Sequence, residues 1–89
     1  MQTESIEQPP QTMSICGVMC QIKPENMPDV EPQMLAIPGL EIHGVDDDGK
    51  VVITIESDSY KLTGERISTL QKLKGVLSAS MIYQHTEEL

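Results

Sequence analysis

The sequence has no tryptophan or phenylalanine, and only two tyrosines among its 89 residues. Its hydrophobic core must therefore come from Ile, Leu, Val and the six Met. A chain of this size buries only about two-thirds of its unfolded surface, so we expect one sheet covered on one side. No apolar run reaches the roughly 20 residues that a membrane-spanning helix requires. The N-terminus also lacks the basic start and apolar block of an export signal, which predicts a cytoplasmic protein without membrane insertion.

Positive charge is scarce as well. Six basic residues stand against 14 acidic ones, for a formal net charge of −8. Proteins that bind nucleic acid neutralise phosphates with clustered Lys and Arg, so this balance argues against a nucleic-acid partner. The acidity either keeps a small protein soluble or attracts a cationic partner, and composition leaves both interpretations open.

Cysteine is limited to Cys16 and Cys20, which fall in one predicted strand about 13 Å apart on the same face. A disulfide needs Cα atoms within about 7 Å, so we expect two free, packed thiols. His43 and His85 are not spaced to complete a metal site with them. The sequence contains no Gly-rich phosphate loop, HExxH or GxSxG motif. We therefore expect no metal and no catalytic site, and interpret the chain as a binding module rather than an enzyme.

A β-hairpin is predicted over residues 40–56, where two β-rich runs flank the turn-forming residues 46–49. The three aspartates of this turn lack the alternating ligands of a calcium loop. Strand alternation gives the hairpin two faces. The set that requires a cover is Leu40, Ile42, Val51, Ile53 and Ile55, and the opposite set is Glu41, His43, Val52, Thr54 and Glu56.

The remaining elements follow from periodicity. Residues 1–12 are expected to be a disordered tail, 13–22 a strand, 76–83 the last strand and 86–89 a short acidic tail. A helix near 28–37 follows from apolar residues at helical spacing, with prolines making its start irregular. A second helix is expected near 59–74. In the last strand we expect the covered set to be Leu77, Ala79, Met81 and Tyr83.

The order β-α-β-β-α-β is typical of the α+β ferredoxin-like split βαβ fold. It predicts a single domain over residues 13–85, with a four-stranded antiparallel sheet in the order 4-1-3-2 and both helices on one face. We call the other side the open face. A basic amphipathic helix would fit it, whereas a half-wetted sheet is the alternative. The predicted lining is Ile15, Gly17, Met19, Gln21, Glu41, His43, Val52, Thr54, Glu56, Ser78, Ser80 and Ile82.

Three stretches, at residues 14–19, 37–42 and 75–85, resemble those of one family. In order and spacing they are similar to the NapD family, cytoplasmic assembly chaperones of the periplasmic nitrate reductase, over about residues 13–85. The family often has Ser where this chain has Gly17. The resemblance implies a ferredoxin-like fold without a cofactor. It also implies helical binding of the twin-arginine signal peptide of the catalytic subunit, which holds back export until the molybdenum cofactor is loaded.

Two other binding modules share this topology. An ACT-like regulatory domain, which binds a small molecule at a subunit interface, is the alternative, and a ligand-dependent dimer would favour it. A copper-type carrier is disfavoured because its thiols normally lie in a loop with CxxC spacing. We expect a monomer that binds the signal peptide, with Glu41 and Glu56 as the candidates to pair with its arginines.

Overall fold

The computed structural model describes residues 11–88 and has the predicted element order. The strands are β1 (Thr12–Ile22), β2 (Leu40–Val45), β3 (Lys50–Ser57) and β4 (Val76–Glu88), and the helices are α1 (Met27–Leu35) and α2 (Tyr60–Lys72). All strand pairs are antiparallel, in the order β2-β3-β1-β4. The ferredoxin-like fold and the strand order are confirmed. The tail expected for residues 1–12 falls largely outside the described residues, and Thr12 already belongs to β1.

The core lies between the sheet and the two helices. Every second residue of the central strands β1 and β3 is buried, as alternation predicted, and this fixes the register because a one-residue slip would turn each of them toward water. The helices contribute Val30, Met34 and Leu70, all at most 1% exposed. The buried strand residues are Cys16, Val18, Cys20, Ile22, Val51, Ile53 and Ile55.

The hairpin turn is longer than two residues. The Asp46 carboxylate accepts hydrogen bonds from the backbone N–H groups of Asp48 and Lys50, each at 2.9 Å. Gly49 has a φ of 85°, and a Cβ there would lie 1.8 Å from the carbonyl oxygen of Ile22, so the turn requires glycine. The turn chemistry therefore accounts for Asp46. Within residues 11–88, no group of three or more His, Cys, Asp or Glu side chains is placed to hold a metal.

Both helices begin where the sequence indicated. A 3-10 turn, Pro24–Asn26, precedes α1, which is the irregular start that prolines favour. Helix α1 ends at Leu35, two residues earlier than predicted. Helix α2 is capped by Ser59, whose Oγ accepts a hydrogen bond from the N–H of Leu62 at 3.1 Å. Among residues 11–88, neither helix is long and apolar enough to cross a membrane.

Strand β4 is longer than predicted. It continues to Glu88, where Thr86 pairs with Ser14 and Glu88 pairs with Thr12. The expected end at residue 83, and an acidic tail beginning at 86, were therefore wrong. Strand β1 begins early enough to offer backbone partners to these polar residues, and pairing backbone groups is favourable whatever the side chains are.

Two register shifts interrupt the pairing of β4 with β1. At the first, Ile22 lies opposite Val76 and Gln21 opposite Ser78, so Leu77 has no partner. Leu77 was expected on the covered face, but it is 59% exposed. The extra residue belongs to a β-bulge, which the alternating pattern does not reveal.

The second shift lies at Ile82. Val18 is opposite Met81 and Gly17 is opposite Tyr83, so Ile82 is the residue without a partner. Met81 stays on the covered side, where the Cys16 thiol donates to its sulfur at 3.6 Å. Beyond the bulge the alternation is reversed. The expectation that Tyr83 faces the helices was therefore wrong, and its ring lies on the open face.

The two cysteines are free and buried, as predicted. Burial raises the pKa of the Cys16 thiol and raises that of Cys20 to about 11, because a thiolate in the core loses its hydration. Both thiols are therefore protonated at neutral pH. Since the unfolded chain loses these protons at lower pH than the folded chain, stability falls as pH rises from about 9 toward 11.

This burial predicts slow thiol chemistry in the native protein. At pH 8, a thiol-specific chromogenic reagent should react at least about a hundredfold more slowly with folded than with denatured protein, because thiolate is the reactive form. Under denaturing, non-reducing conditions the count should be two. A count of zero from monomeric protein, one equivalent of co-purifying metal, or fast native labelling would contradict the placement of both thiols.

Candidate functional site

The open face is the side of the sheet opposite the helices. Antiparallel pairing places side chains of neighbouring strands in rows across it, each with a β1 residue in the middle. From the hairpin turn toward the start of β1, the rows are Lys50, Gln21 and Ser78; Val52, Met19 and Ser80; Thr54, Gly17 and Tyr83; and Glu56, Ile15 and His85.

The centre of this face is apolar. Met19 and Val52 are paired across β1 and β3, and their exposed fractions are 40% and 39%. Ser80 lies on the other side of Met19, so a small side chain flanks the pair. Apolar side chains held together in a sheet and left uncovered form a surface that a partner can bury.

Gly17 makes room for the ring of Tyr83. A Cβ on Gly17 would lie 2.1 Å from Cε1 of Tyr83 and 2.9 Å from its Cζ, so the ring rests directly on the glycine. A glycine inside a strand indicates a close approach, and the group that approaches here is a side chain. Tyr83 remains 49% exposed, and one face of an aromatic ring is therefore presented to solvent near the middle of the sheet.

Carboxylates lie toward the end of the face where β1 begins. Glu41, Glu56 and Glu87 occupy this region on β2, β3 and β4, opposite Thr54, Ile15 and Met13. We call these three residues the acidic end. All six Lys and Arg residues of the chain lie within residues 11–88, and none is within ion-pair distance of these carboxylates, whereas Nε2 of His85 lies 3.7 Å from the Glu87 carboxylate. The acidic end can therefore accept a cation from outside.

Polar contacts nearby orient individual side chains. Nε2 of His43 and Oγ1 of Thr54 share a hydrogen bond of 2.7 Å, and the same nitrogen is 4.0 Å from the Glu41 carboxylate. Arg66, on α2, donates at 2.9 Å to the backbone carbonyl of Glu56. This contact ties the helix to the sheet and leaves the Glu56 carboxylate uncommitted.

The opposite end of the face has a shallow depression of about 180 Å³. It lies between the hairpin and the start of β4, and its polar groups are an ammonium, an amide and two hydroxyls. Its size suits one apolar side chain of a partner. The lining residues are Met19, Cys20, Gln21, Lys50, Ser78 and Ser80.

Comparison with known proteins agrees with this architecture. The family model described as NapD protein matches residues 13–88. The chain belongs to the NapD family. Chaperone NapD of Escherichia coli (strain K12) is 28% identical over 75 residues, covering 83% of this chain and 86% of that protein. Chaperone NapD of Haemophilus influenzae is 27% identical over 75 residues, covering 83% and 81%.

A solved NapD structure has the same fold. The solution structure of the E. coli Tat proofreading chaperone NapD matches with a TM-score of 0.75 at 27% identity, covering 85% of this chain and 80% of that one. The family predicted from the sequence is therefore confirmed. Membership of the NapD family favours the chaperone interpretation over an ACT-like regulatory domain.

Most residues predicted to line the open face lie on it, although their role in binding stays a prediction. Ile82 is the exception, because it has no partner in β1 and Tyr83 takes the position opposite Gly17. The prediction omitted Lys50, Tyr83, His85 and Glu87. Gly17 was the one sequence signal for the position of the Tyr83 ring. The residues found on the face are Ile15, Gly17, Met19, Gln21, Glu41, His43, Val52, Thr54, Glu56, Ser78 and Ser80.

Replacing Gly17 tests how the ring is held. Gly17→Ala should displace Tyr83, because the new Cβ occupies the ring's position, while the chain still folds since the ring is half-exposed. The nuclear Overhauser effect between the Tyr83 ring protons and the residue 17 Hα should weaken or vanish. Gly44→Ala, where a Cβ meets nothing within 4 Å, is the matched strand control. An unchanged ring contact in Gly17→Ala would contradict this packing.

Proposed function

We propose that this NapD-family chain is a chaperone for the twin-arginine signal peptide of the catalytic subunit of the periplasmic nitrate reductase. The peptide binds as an amphipathic helix on the open face, and export is held back until the cofactor is loaded. The chaperone works as a cytoplasmic monomer without a cofactor of its own. The observation that supports this most is the uncovered sheet face of a NapD-family chain, where exposed Met19 and Val52 lie near carboxylates that no Lys or Arg of residues 11–88 pairs.

The apolar centre supplies most of the affinity. Burying apolar surface contributes roughly 25 cal/mol per Å² before the costs of association and ordering. Met19 adapts its shape to the groups it contacts, and Ser80 beside it allows a helix to approach closely. Ile15 extends the apolar surface toward the acidic end.

The carboxylates supply attraction for a basic peptide. A net charge of −8 draws a cationic peptide toward the chain and speeds association at low salt. Glu41 and Glu56 pair with the arginines through charge-assisted hydrogen bonds. Because these contacts are exposed, each contributes little stability by itself, and their main effects are on specificity and association rate.

The precursor is retained because the chaperone covers its signal peptide. A signal peptide consists of a basic region followed by an apolar segment, and both would be covered by this face. A covered peptide is not free to engage an export receptor, so the chaperone and the receptor compete for it. The affinity of the chaperone then sets the fraction of precursor held back.

Charged substitutions in the apolar centre test the site. Met19→Asp and Val52→Asp should each weaken peptide binding at least about a hundredfold, because a carboxylate would be buried without a partner. Calorimetry with a synthetic peptide carrying adjacent arginines ahead of an apolar segment measures this. Leu35→Asp is the matched control, since Leu35 is 52% exposed at the end of α1. Unchanged binding in both open-face variants, or loss in Leu35→Asp, would place the site elsewhere.

Neutralising the glutamates tests the electrostatic part. Glu41→Gln and Glu56→Gln should each weaken binding by about two- to fivefold, and should reduce the fall in association rate as salt increases. Stopped-flow measurements over a range of salt concentrations give both quantities. The control is Glu65→Gln, which removes the same charge from the exposed side of α2. An equal effect in all three variants would show that net charge, rather than the open face, attracts the peptide.

A further inference from the structure

Charge on the open face is distributed unevenly along the strands. Glu41, Glu56 and Glu87 form the acidic end, which also holds the imidazoles of His43 and His85. Lys50 is the one Lys or Arg in the rows of the face and lies at the hairpin end, opposite Gln21. The rows of Ile15 and Gln21 are six residues apart, which corresponds to about 20 Å along a strand. A partner lying along the strands therefore meets carboxylates at one end of the face and a single ammonium at the other.

Groups outside the face reduce this difference without removing it. Asp58 follows β3 at the acidic end, where its backbone carbonyl accepts a hydrogen bond from Thr12, and Glu88 pairs with Thr12. The basic residues there are Lys61, in the first turn of α2, and Arg66, which donates to the backbone carbonyl of Glu56. The hairpin end is nearly balanced, because lysines offset its carboxylates. Its charged residues are Lys23, Lys50, Lys72 and Lys74 against Glu25, Asp29, Asp46, Asp47 and Asp48.

A helical signal peptide has a matching asymmetry. Its basic region precedes its apolar segment, and its helix dipole places positive charge at the N-terminus and negative charge at the C-terminus. Both features favour the same direction on this face. A span of about 20 Å corresponds to about 13 helical residues, enough for an arginine pair and part of the apolar segment.

We propose that the peptide lies along the strands with its arginines over the acidic end and its apolar segment running over Met19 and Val52 toward the depression beside Lys50. This direction rests on the proposed function. The depression receives one apolar side chain of the peptide, and the ammonium of Lys50 faces the C-terminal end of the peptide helix.

Tyr83 gains a role in this arrangement. Its ring lies on Gly17, between the row of Met19 and the row that contains Glu56. A guanidinium stacks on an exposed aromatic ring more favourably than an ammonium does. Tyr83 therefore favours arginine over lysine in the peptide, at the boundary between the acidic end and the apolar centre.

Paramagnetic labels on the peptide test the direction. A nitroxide is attached either before the arginine pair or after the apolar segment of the synthetic peptide, and each is added to the full chain labelled with ¹⁵N. The first label should broaden the amide signals of Ile15, Glu56 and Glu87. The second should broaden those of Gln21, Lys50 and Ser78.

Other broadening patterns distinguish a wrong peptide direction from a wrong binding site. Reversed broadening, or equal broadening of both ends by each label, would overturn the direction and leave the open-face site intact. Broadening confined to α1 and α2 would overturn the proposed function and the direction with it. Calorimetry on both labelled peptides establishes that each still binds.

A double-mutant cycle gives an independent readout. Glu87→Gln in the chain and Arg→Gln in the peptide should be coupled, so that the second change costs about two- to fivefold less affinity once the first is made. Glu65→Gln is the charge-matched control and should show no coupling.

Replacing the arginine pair of the peptide by lysines should weaken binding to the native chain more than it weakens binding to the Tyr83→Leu variant. The arrangement would be contradicted if Glu65→Gln were coupled to the peptide arginine as strongly as Glu87→Gln. It would also be contradicted if the lysine peptide lost the same affinity for the native chain as for the Tyr83→Leu variant.

Discussion

The structure depends on one constraint: the chain has enough apolar residues to cover a sheet on one side only. Strands β1 and β3 bury every second residue under two short helices, and Cys16, Val18, Ile53 and Ile55 are all completely buried. The intervening residues must then lie on an uncovered face. A small chain without Trp or Phe has too few large apolar residues for a second layer. In the proposed function the signal peptide takes the place that another layer would occupy in a larger domain.

The composition of the open face is set largely by an irregularity in β4. The unpaired Ile82 reverses the alternation, so that Tyr83 comes to lie on Gly17 rather than under the helices. The same strand extends to Glu88 and brings Glu87 to the face opposite Met13. An aromatic ring and a third carboxylate thus join a surface that otherwise holds aliphatic and small polar side chains. Recognition of a basic peptide on this face would depend on this arrangement.

Sequence reasoning predicted the hairpin and both central strands because their alternation is strict and reports directly which side is covered. It failed in β4, where Met81, Ile82 and Tyr83 are all apolar and no pattern marks the extra residue. The extension of β4 could not be foreseen either, since it depends on backbone partners in Thr12–Ile22, far away in the sequence. The buried contact between the hydroxyls of Ser57 and Thr63, at 2.6 Å, has no sequence signature for the same reason: it joins two elements whose packing is decided by the fold.

The central claim is that the uncovered side of the sheet is the surface that binds the signal peptide. Intermolecular nuclear Overhauser effects between a twin-arginine peptide and methyl-labelled protein test it most directly. The account predicts contacts to the methyl groups of Ile15, Met19 and Val52, and none to Leu35, which is exposed on the other side of the molecule. Contacts to Leu35 and to the helices, with none to Met19 or Val52, would contradict it.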